Sequence, residues 1–181
     1  MILSDAAKEF ILHWGEMGTR WGVNRTVAQV HALLYLSPES LTAEEIAETL
    51  SVARSNVSTS LKELQNWNLV QLENRIGDRR DFFRTSADVW SLFLTVIEQR
   101  VEREIIPTLT TLRRCVATAR ADVPSRAVVA SRIAAMLEFL EELHGWYKQV
   151  MKLPPATLRS LISIGSGITR VLPKTKPRRL D

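Results

Sequence analysis

The chain has 181 residues, 45% of them hydrophobic and 24% charged, with a formal net charge of +4, a pI near 9.6 and a mean hydropathy of −0.05. That composition describes one domain or a compact pair with enough apolar material for its own core, and it excludes a largely disordered chain. No apolar run reaches the ~18 residues of a membrane span, MILSDAAKEF carries acids where a secretory leader needs an apolar stretch, and a single cysteine, Cys115, excludes an internal disulfide and a cysteine-built zinc site, so a cytoplasmic chain with no membrane partner is expected.

Leu3, Ala6, Phe10, Trp14, Met17 and Trp21 recur at three- and four-residue steps and predict a first helix. Gly15, Gly18 and Gly22 lie within and just after it, where close packing and a helix stop account for them. Val27, Val30, Leu33 and Leu34 predict a second helix from about Arg25 to Leu36. Thr42 with Glu45 three residues on is a capping box, which starts a short helix near Ala43. Its inward face is Ile46, Ala47 and Leu50, while Glu44, Glu45 and Glu48 lie outside. The period breaks at Leu50-Ser51-Val52, Ser51 is the expected N-cap of the next helix, and Val57, Leu61 and Leu64 set its inner face from about Val52 to Asn66.

The other side of that helix carries Arg54, Ser55, Asn56, Ser58, Thr59 and Lys62, small polar or basic residues without one carboxylate. Hydroxyls and amides donate to phosphates and base edges, Arg grips guanine bidentately, and small side chains let a helix sit deep in a major groove. Leu69 to Glu73 alternates apolar and polar as a half-buried strand does, and Asp81 to Thr85 can return antiparallel to it. Between them Gly77 supplies the turn and Arg75, Arg79 and Arg80 crowd the tip. A cationic tip beside such a helix can reach an adjacent minor groove, and Asp78 can hold one of the neighbouring guanidinium groups in a fork that aims it. Two helices, a tight turn and a hairpin in this order are the parts of a winged helix-turn-helix.

Beyond the hairpin, Val89, Trp90, Phe93, Leu94, Ile97, Val101, Ile105, Leu109 and Leu112 form a near-heptad stripe that Pro107 should kink or split. A further helix is expected from about Ser125, carrying Ile133, Met136, Leu137, Leu140, Leu143 and Tyr147, ended by Pro154-Pro155 and followed by a short helix over 156–164. Lys174 to Arg179 is a second basic patch, with Pro173 before it and Pro177 within it precluding helix, expected as a disordered tail with a secondary capacity to touch phosphates.

Gly22-Val23-Asn24-Arg25-Thr26, the run LTAEEIAETLSVARSNVSTSLKELQNWNLV, then GDRRDFF and the helix beginning near Asp88 together resemble the MarR-type winged-helix repressors, in particular the GbsR-like branch, over about residues 10 to 115. The Asp-x-Arg wing matches at Asp78 and Arg80, which the resemblance implies is the pair that places an arginine in the minor groove. Two departures fall at element boundaries: Asn24 where that branch has a Pro, and Asn68 where a Gly usually follows the Trp. The resemblance implies a homodimeric cytoplasmic transcription factor, often a repressor, with some relatives sensing choline or other small molecules.

The expectation is therefore a mainly α chain with a small β-hairpin wing: a DNA-binding winged helix over 24–86, helical dimerisation and candidate effector regions over 1–23 and 87–168, and a basic tail over 169–181. Its partners are double-stranded DNA, a second copy of itself and, as a candidate small-molecule effector, a quaternary ammonium compound caged by Trp14, Trp21 and Trp90. An aromatic stripe at that spacing is also what a core or dimer interface looks like. No cofactor, catalytic residue or metal site is expected. Glu141-x-x-His144 lacks the second copy a di-iron helix site needs, His13, His31 and His144 are isolated, and no phosphate loop, dinucleotide fingerprint or nucleophile elbow occurs. Two rival readings stay open: a protein-interaction module using the winged helix and long helices as a scaffold, and the dimerising half of an enzyme whose catalytic domain this chain lacks.

Overall fold

A computed structural model describes residues 2–121 and 127–168, so the basic tail and residues 125 and 126, where the sequence places a helix start, lie outside the described residues. The chain divides into two compact units, Met1–Val101 and one beginning at Glu102.

In the first unit, Ser4 caps α1 (Asp5–Arg20) by accepting from the Ala7 amide at 3.3 Å. The buried seam of α1 is Ile11, Gly15 and Gly18, not the aromatic stripe: Trp14 is 37% exposed and Trp21 55%. The two glycines decide this, because a Cβ on Gly18 would lie 2.5 Å from the Ala28 Cβ, and one on Gly15 2.7 Å from the Gln29 Cγ. The backbone of α1 therefore approaches α2 (Arg25–Leu36) more closely than any side chain would allow, and the tryptophans flank the seam. Gly22, at φ 77°, ends α1 in a left-handed cap, with the Val23 amide bonding back to the Gly18 carbonyl at 2.9 Å. Asn24 then caps α2, its side chain accepting from the Thr26 amide at 2.8 Å, so the departure from Pro replaces one helix-starting device by another.

The helix α2 is buried along most of its length through Val27, Ala28, Val30, His31, Ala32, Leu33 and Leu34. His31 meets the Thr85 hydroxyl at 3.3 Å, and that hydroxyl donates to the Leu69 carbonyl at 2.6 Å. With the hydroxyl proton so used, the ring nitrogen Nε2 is the donor and the imidazole is neutral. Burial pushes its pKa from 6.5 down to about 4.

The capping box forms as the spacing requires. The Thr42 hydroxyl accepts from the Glu45 amide at 3.3 Å, and the Glu45 carboxylate accepts from the Thr42 amide at 2.7 Å and from the Thr42 hydroxyl at 2.8 Å, the two bonds that hold the carboxyl below its usual pKa. They open α3 (Ala43–Leu50), whose Ile46 is fully buried. Ser51 is not the N-cap of the next helix. It closes α3 in the left-handed conformation at φ 54°, its amide taken by the Ala47 and Glu48 carbonyls, and α4 (Arg54–Asn66) begins after Ala53 without a side-chain cap. Val57, Leu61 and Leu64 face the core as the period predicts, joined by Ser60. Asn68, at φ 55°, holds the left-handed position where a Gly is usual, a conformation Asn tolerates best among residues with a Cβ.

Three short antiparallel strands complete the winged helix: β1 (Leu41–Thr42), β2 (Gln71–Glu73) and β3 (Phe82–Arg84), in the order β1-β3-β2. Phe83 lies opposite both Leu41 and Leu72, and Phe82 opposite Thr42 and Glu73. Strand β1 has no sequence signal, since two residues hold no alternation to read. The expected in-out pattern of the wing also fails: Leu69 and Val70 are both buried before β2 begins, while Leu72 is exposed. Asp88 caps α5 (Val89–Arg100), its carboxylate taking the Trp90 and Ser91 amides at 3.2 Å each.

A π-helical turn at Val101–Ile105 follows, directly ahead of Pro107, so the long apolar stripe is split where the proline predicts. In the second unit α6 (Ile106–Ala121) packs on α7 (Ala127–Val150), with Arg113 bonded to Glu141 at 2.8 Å. The last helix, α8 (Pro155–Ile168), starts on its proline and runs further than the short helix expected. Among the described residues of this unit only Leu109, Val116 and Leu158 are buried apolar side chains. Val128, Val129, Met136, Phe139, Leu143, Trp146, Leu161 and Ile164 are exposed, Phe139 by 58% and Trp146 by 62%.

Candidate nucleic-acid interface

The inner stripe Val57, Leu61 and Leu64 fixes the rotation of α4, and that rotation turns its polar side outward. Arg54, Ser55, Asn56, Thr59 and Lys62 are exposed and Ser58 is half-buried, so the structure brings the six residues to one surface. The Thr59 hydroxyl donates back to the Ser55 carbonyl at 3.0 Å, leaving its lone pairs and methyl outward. One carboxylate of α4 borders this side, the half-buried Glu63 one turn beyond Thr59 and two beyond Asn56, and a second reaches it from a neighbouring helix: Glu44 on α3 pairs with Arg54 at 2.7 Å. Glu44 reads in sequence as an ordinary solvated acid, and only the crossing of α3 and α4 brings it to the arginine.

At the wing, Gly77 makes the turn at φ 84° and the Asp78 amide bonds the Arg75 carbonyl at 3.1 Å. The Asp78 carboxylate forks the Arg80 guanidinium, with Nε at 3.0 and 3.2 Å from its two oxygens and Nη2 at 2.7 Å, and it also takes the Arg80 amide at 3.0 Å. The side-chain bonds to Arg80, then the backbone bond, hold Asp78 at a pKa of about 2, so the fork stays ionised at any working pH.

The three wing arginines are thus in three different situations. Arg80 is aimed by Asp78. Arg79 is exposed with no ion pair among the described residues. Arg75 turns back toward the loop before β1, donating to the Ser40 hydroxyl at 2.8 Å with its guanidinium 4.1 Å above the Phe82 ring. The sequence groups all three as tip charges and marks neither Ser40 nor Phe82, although the hairpin pairing alone brings Phe82 toward the residues before the turn.

Two of the candidate effector tryptophans meet each other, and the third pairs with a different ring. Trp14 stacks on Phe10 at 5.4 Å and meets Trp21 edge-on at 6.5 Å, while Trp90 pairs with Phe93 at 6.2 Å. Among the described residues no three His, Cys, Asp or Glu side chains are placed to share a metal ion, and no helix is long and apolar enough to cross a membrane.

Residues 21–81 match the model of the MarR family. Over 92 residues the chain is 27% identical to the HTH-type transcriptional repressor GbsR of Bacillus subtilis (strain 168), covering 51% of each chain. Over 95 residues it is 23% identical to the putative HTH-type transcriptional regulator YvaV of the same organism, covering 52% of this chain and 54% of the relative. The chain therefore spans about half the length of the curated relatives it matches. A solved structure described as a transcriptional regulator superposes with a TM-score of 0.57 at 20% identity, over 80% of this chain and 99% of that one, a likeness of fold. The winged-helix segment is thus similar to the MarR family, and the resemblance to its GbsR-like branch stands.

Proposed function

We propose, from a winged helix whose residues 21–81 match the MarR family, that this protein is a cytoplasmic DNA-binding transcriptional regulator acting as a homodimer. Arg54, Ser55, Asn56, Ser58, Thr59 and Lys62 enter the major groove, where Arg and Asn read base edges and the hydroxyls take phosphates. Arg80, with Arg79 beside it, enters the neighbouring minor groove, whose negative potential draws arginine where it is narrow. The observation that carries the reading is the Asp78 fork on Arg80, which holds a guanidinium in a fixed direction at the tip of the wing. An arginine fixed before binding loses less side-chain freedom on contact than a loose one.

Dimerisation is supported by the apolar side chains left outside on α7 and α8. A two-fold pair presents two recognition helices to successive major grooves about 34 Å apart, which makes the operator an inverted repeat. Repression by occlusion is the simplest mode, since such a dimer covers its site. A small-molecule effector belongs to the same proposal, with Trp14 and Trp21 as the candidate aromatic seat and Trp90 as the third residue; a quaternary ammonium ion is the ligand class that cation–π attraction selects. Calorimetry with choline and glycine betaine tests it, and absence of heat together with unchanged DNA affinity refutes it for those ligands.

The regulator reading is tested by selection from a random duplex pool. An inverted repeat with half-sites about 10 to 10.5 base pairs apart, or a multiple of that, is the expected product. Recovery of no enriched duplex contradicts the reading and favours the interaction-module alternative.

A further inference from the structure

Arg75 is held on several sides, by the loop before β1 and by a buried ring of the central strand as well as by the turn of the wing itself. Its Nη2 donates to the Ser40 hydroxyl at 2.8 Å, 35 residues away in sequence, and lies 4.0 Å from the Glu39 carboxylate. Its guanidinium sits 4.1 Å above the Phe82 ring, which is itself almost fully buried. Through its backbone the same residue accepts the Asp78 amide and closes the turn at the tip. The Arg80 guanidinium lies 5.3 Å from the same ring, so one aromatic ring seats two cations, each answered by its own carboxylate, Glu39 for Arg75 and Asp78 for Arg80.

We propose that Arg75 is a positioning residue that staples the wing to the loop before β1, and that Phe82 and Ser40 are the seat of the staple, leaving Arg79 and Arg80 as the wing's DNA contacts. A hairpin tip joined to the body only by short strands fluctuates, and every contact it makes then costs the entropy of ordering it. A charge-assisted hydrogen bond together with a cation–π interaction, both reaching back across the sheet, removes that freedom before DNA arrives. Bringing Arg75 to a phosphate would require giving up both, whereas Arg79 reaches one at no such cost. The consequence for binding rests on the regulator reading; the geometry does not.

Ser40→Ala removes the acceptor without changing any charge, and Arg75→Met removes the guanidinium while keeping an apolar stem. Arg79→Ala is the comparison. Nitrogen-15 relaxation of the Gly77 and Asp78 amides in the free, full-length protein reads the order of the tip, and duplex affinity against salt reads the phosphate contacts. The expected result is lower order at Gly77 and Asp78 in both staple variants, with duplex affinity about 3- to 10-fold weaker. In Ser40→Ala the slope of log K against log salt should match the unsubstituted protein, while in Arg79→Ala it becomes shallower by about 0.9 for each phosphate left without its cation, with tip order unchanged. Unchanged tip order and affinity in Ser40→Ala, with Arg75→Met lowering the slope as much as Arg79→Ala, would overturn the staple and make Arg75 a phosphate contact. If no variant binds any duplex, the regulator reading fails, and loss of tip order in the two staple variants still upholds the staple as a feature of the fold.

Discussion

The two units of this chain both leave large apolar side chains outside, and differ in how much apolar core they close. The first closes a core of its own, with Val30, Leu33, Ile46, Val57 and Leu61 almost or fully buried, around a central helix that touches α1, α3, α4 and the sheet. The second buries three apolar side chains among its described residues and leaves Phe139, Leu143, Trp146, Leu161 and others outside. Exposed apolar side chains scattered singly are ordinary, but a run of them along α7 and α8 is the composition of half an interface. The difference teaches where stability comes from: the winged helix has a core built by contacts within one chain, while the described residues of the second unit bury little and carry an exposed apolar side that the proposed homodimer would cover.

The sharpest way to break that comparison is to charge the exposed side of α7. Phe139→Glu with Trp146→Glu should convert the dimer to monomer in sedimentation and weaken binding to an inverted-repeat operator by at least about 100-fold, since two linked half-sites become two separate ones. The amide spectrum of the first unit should stay as it was. A variant that remains dimeric would place the interface elsewhere.

A smaller effect belongs to the first unit alone. His31 is buried and neutral with its pKa lowered to about 4, so between that value and 6.5 the unfolded chain takes up a proton that the folded one refuses. Stability is therefore complete above pH 6.5 and falls as pH drops toward 4, by on the order of 3 kcal/mol. Chemical denaturation at several pH values checks this, and His31→Gln should remove that part of the slope. Equal slopes in the two proteins would refute the assignment.

The smallest contrast is between two glycines. Gly18→Ala puts a Cβ 2.5 Å from that of Ala28, a clash between two helices with no flexible end to yield, and should cost about 1–3 kcal/mol. Gly145→Ala, on α7 with nothing within 4 Å of the added carbon, should gain up to about 1 kcal/mol in helix propensity. Melting curves that rank the two the other way would contradict the account of the α1–α2 seam.

Much of the first unit was legible because its signals are local. The capping box at Thr42 and Glu45, the inward period of α4 and the Asp78 fork on Arg80 all lie within a few residues of each other, and the structure realises each of them. What escaped was set by tertiary contact or by small residues. Hydrophobic periodicity counts large side chains, so on α1 it follows Phe10, Trp14 and Trp21; the close packing expected at Gly15 and Gly18 is there, and what the period hides is that these glycines, not the aromatic stripe, form the buried seam. Ser51 looks like an N-cap because serine favours that position, but the turn after Leu50 requires a left-handed residue and uses it. The Glu44–Arg54 pair joins two helices whose crossing no local pattern encodes, and the Ser40–Arg75 bond spans 35 residues. In the second unit, the length of α8 and the small share of apolar side chains it buries are likewise beyond a single-chain pattern.

The central claim, that the polar side of α4 and the wing arginines together grip a duplex, is tested most directly by the salt dependence of binding to the selected inverted repeat. The account predicts a steep linear fall of log K with log salt, and in Arg54→Ala with Arg80→Ala a loss of sequence-specific binding and a shallower slope. Salt-insensitive binding, or a double variant that keeps both affinity and slope, would contradict it.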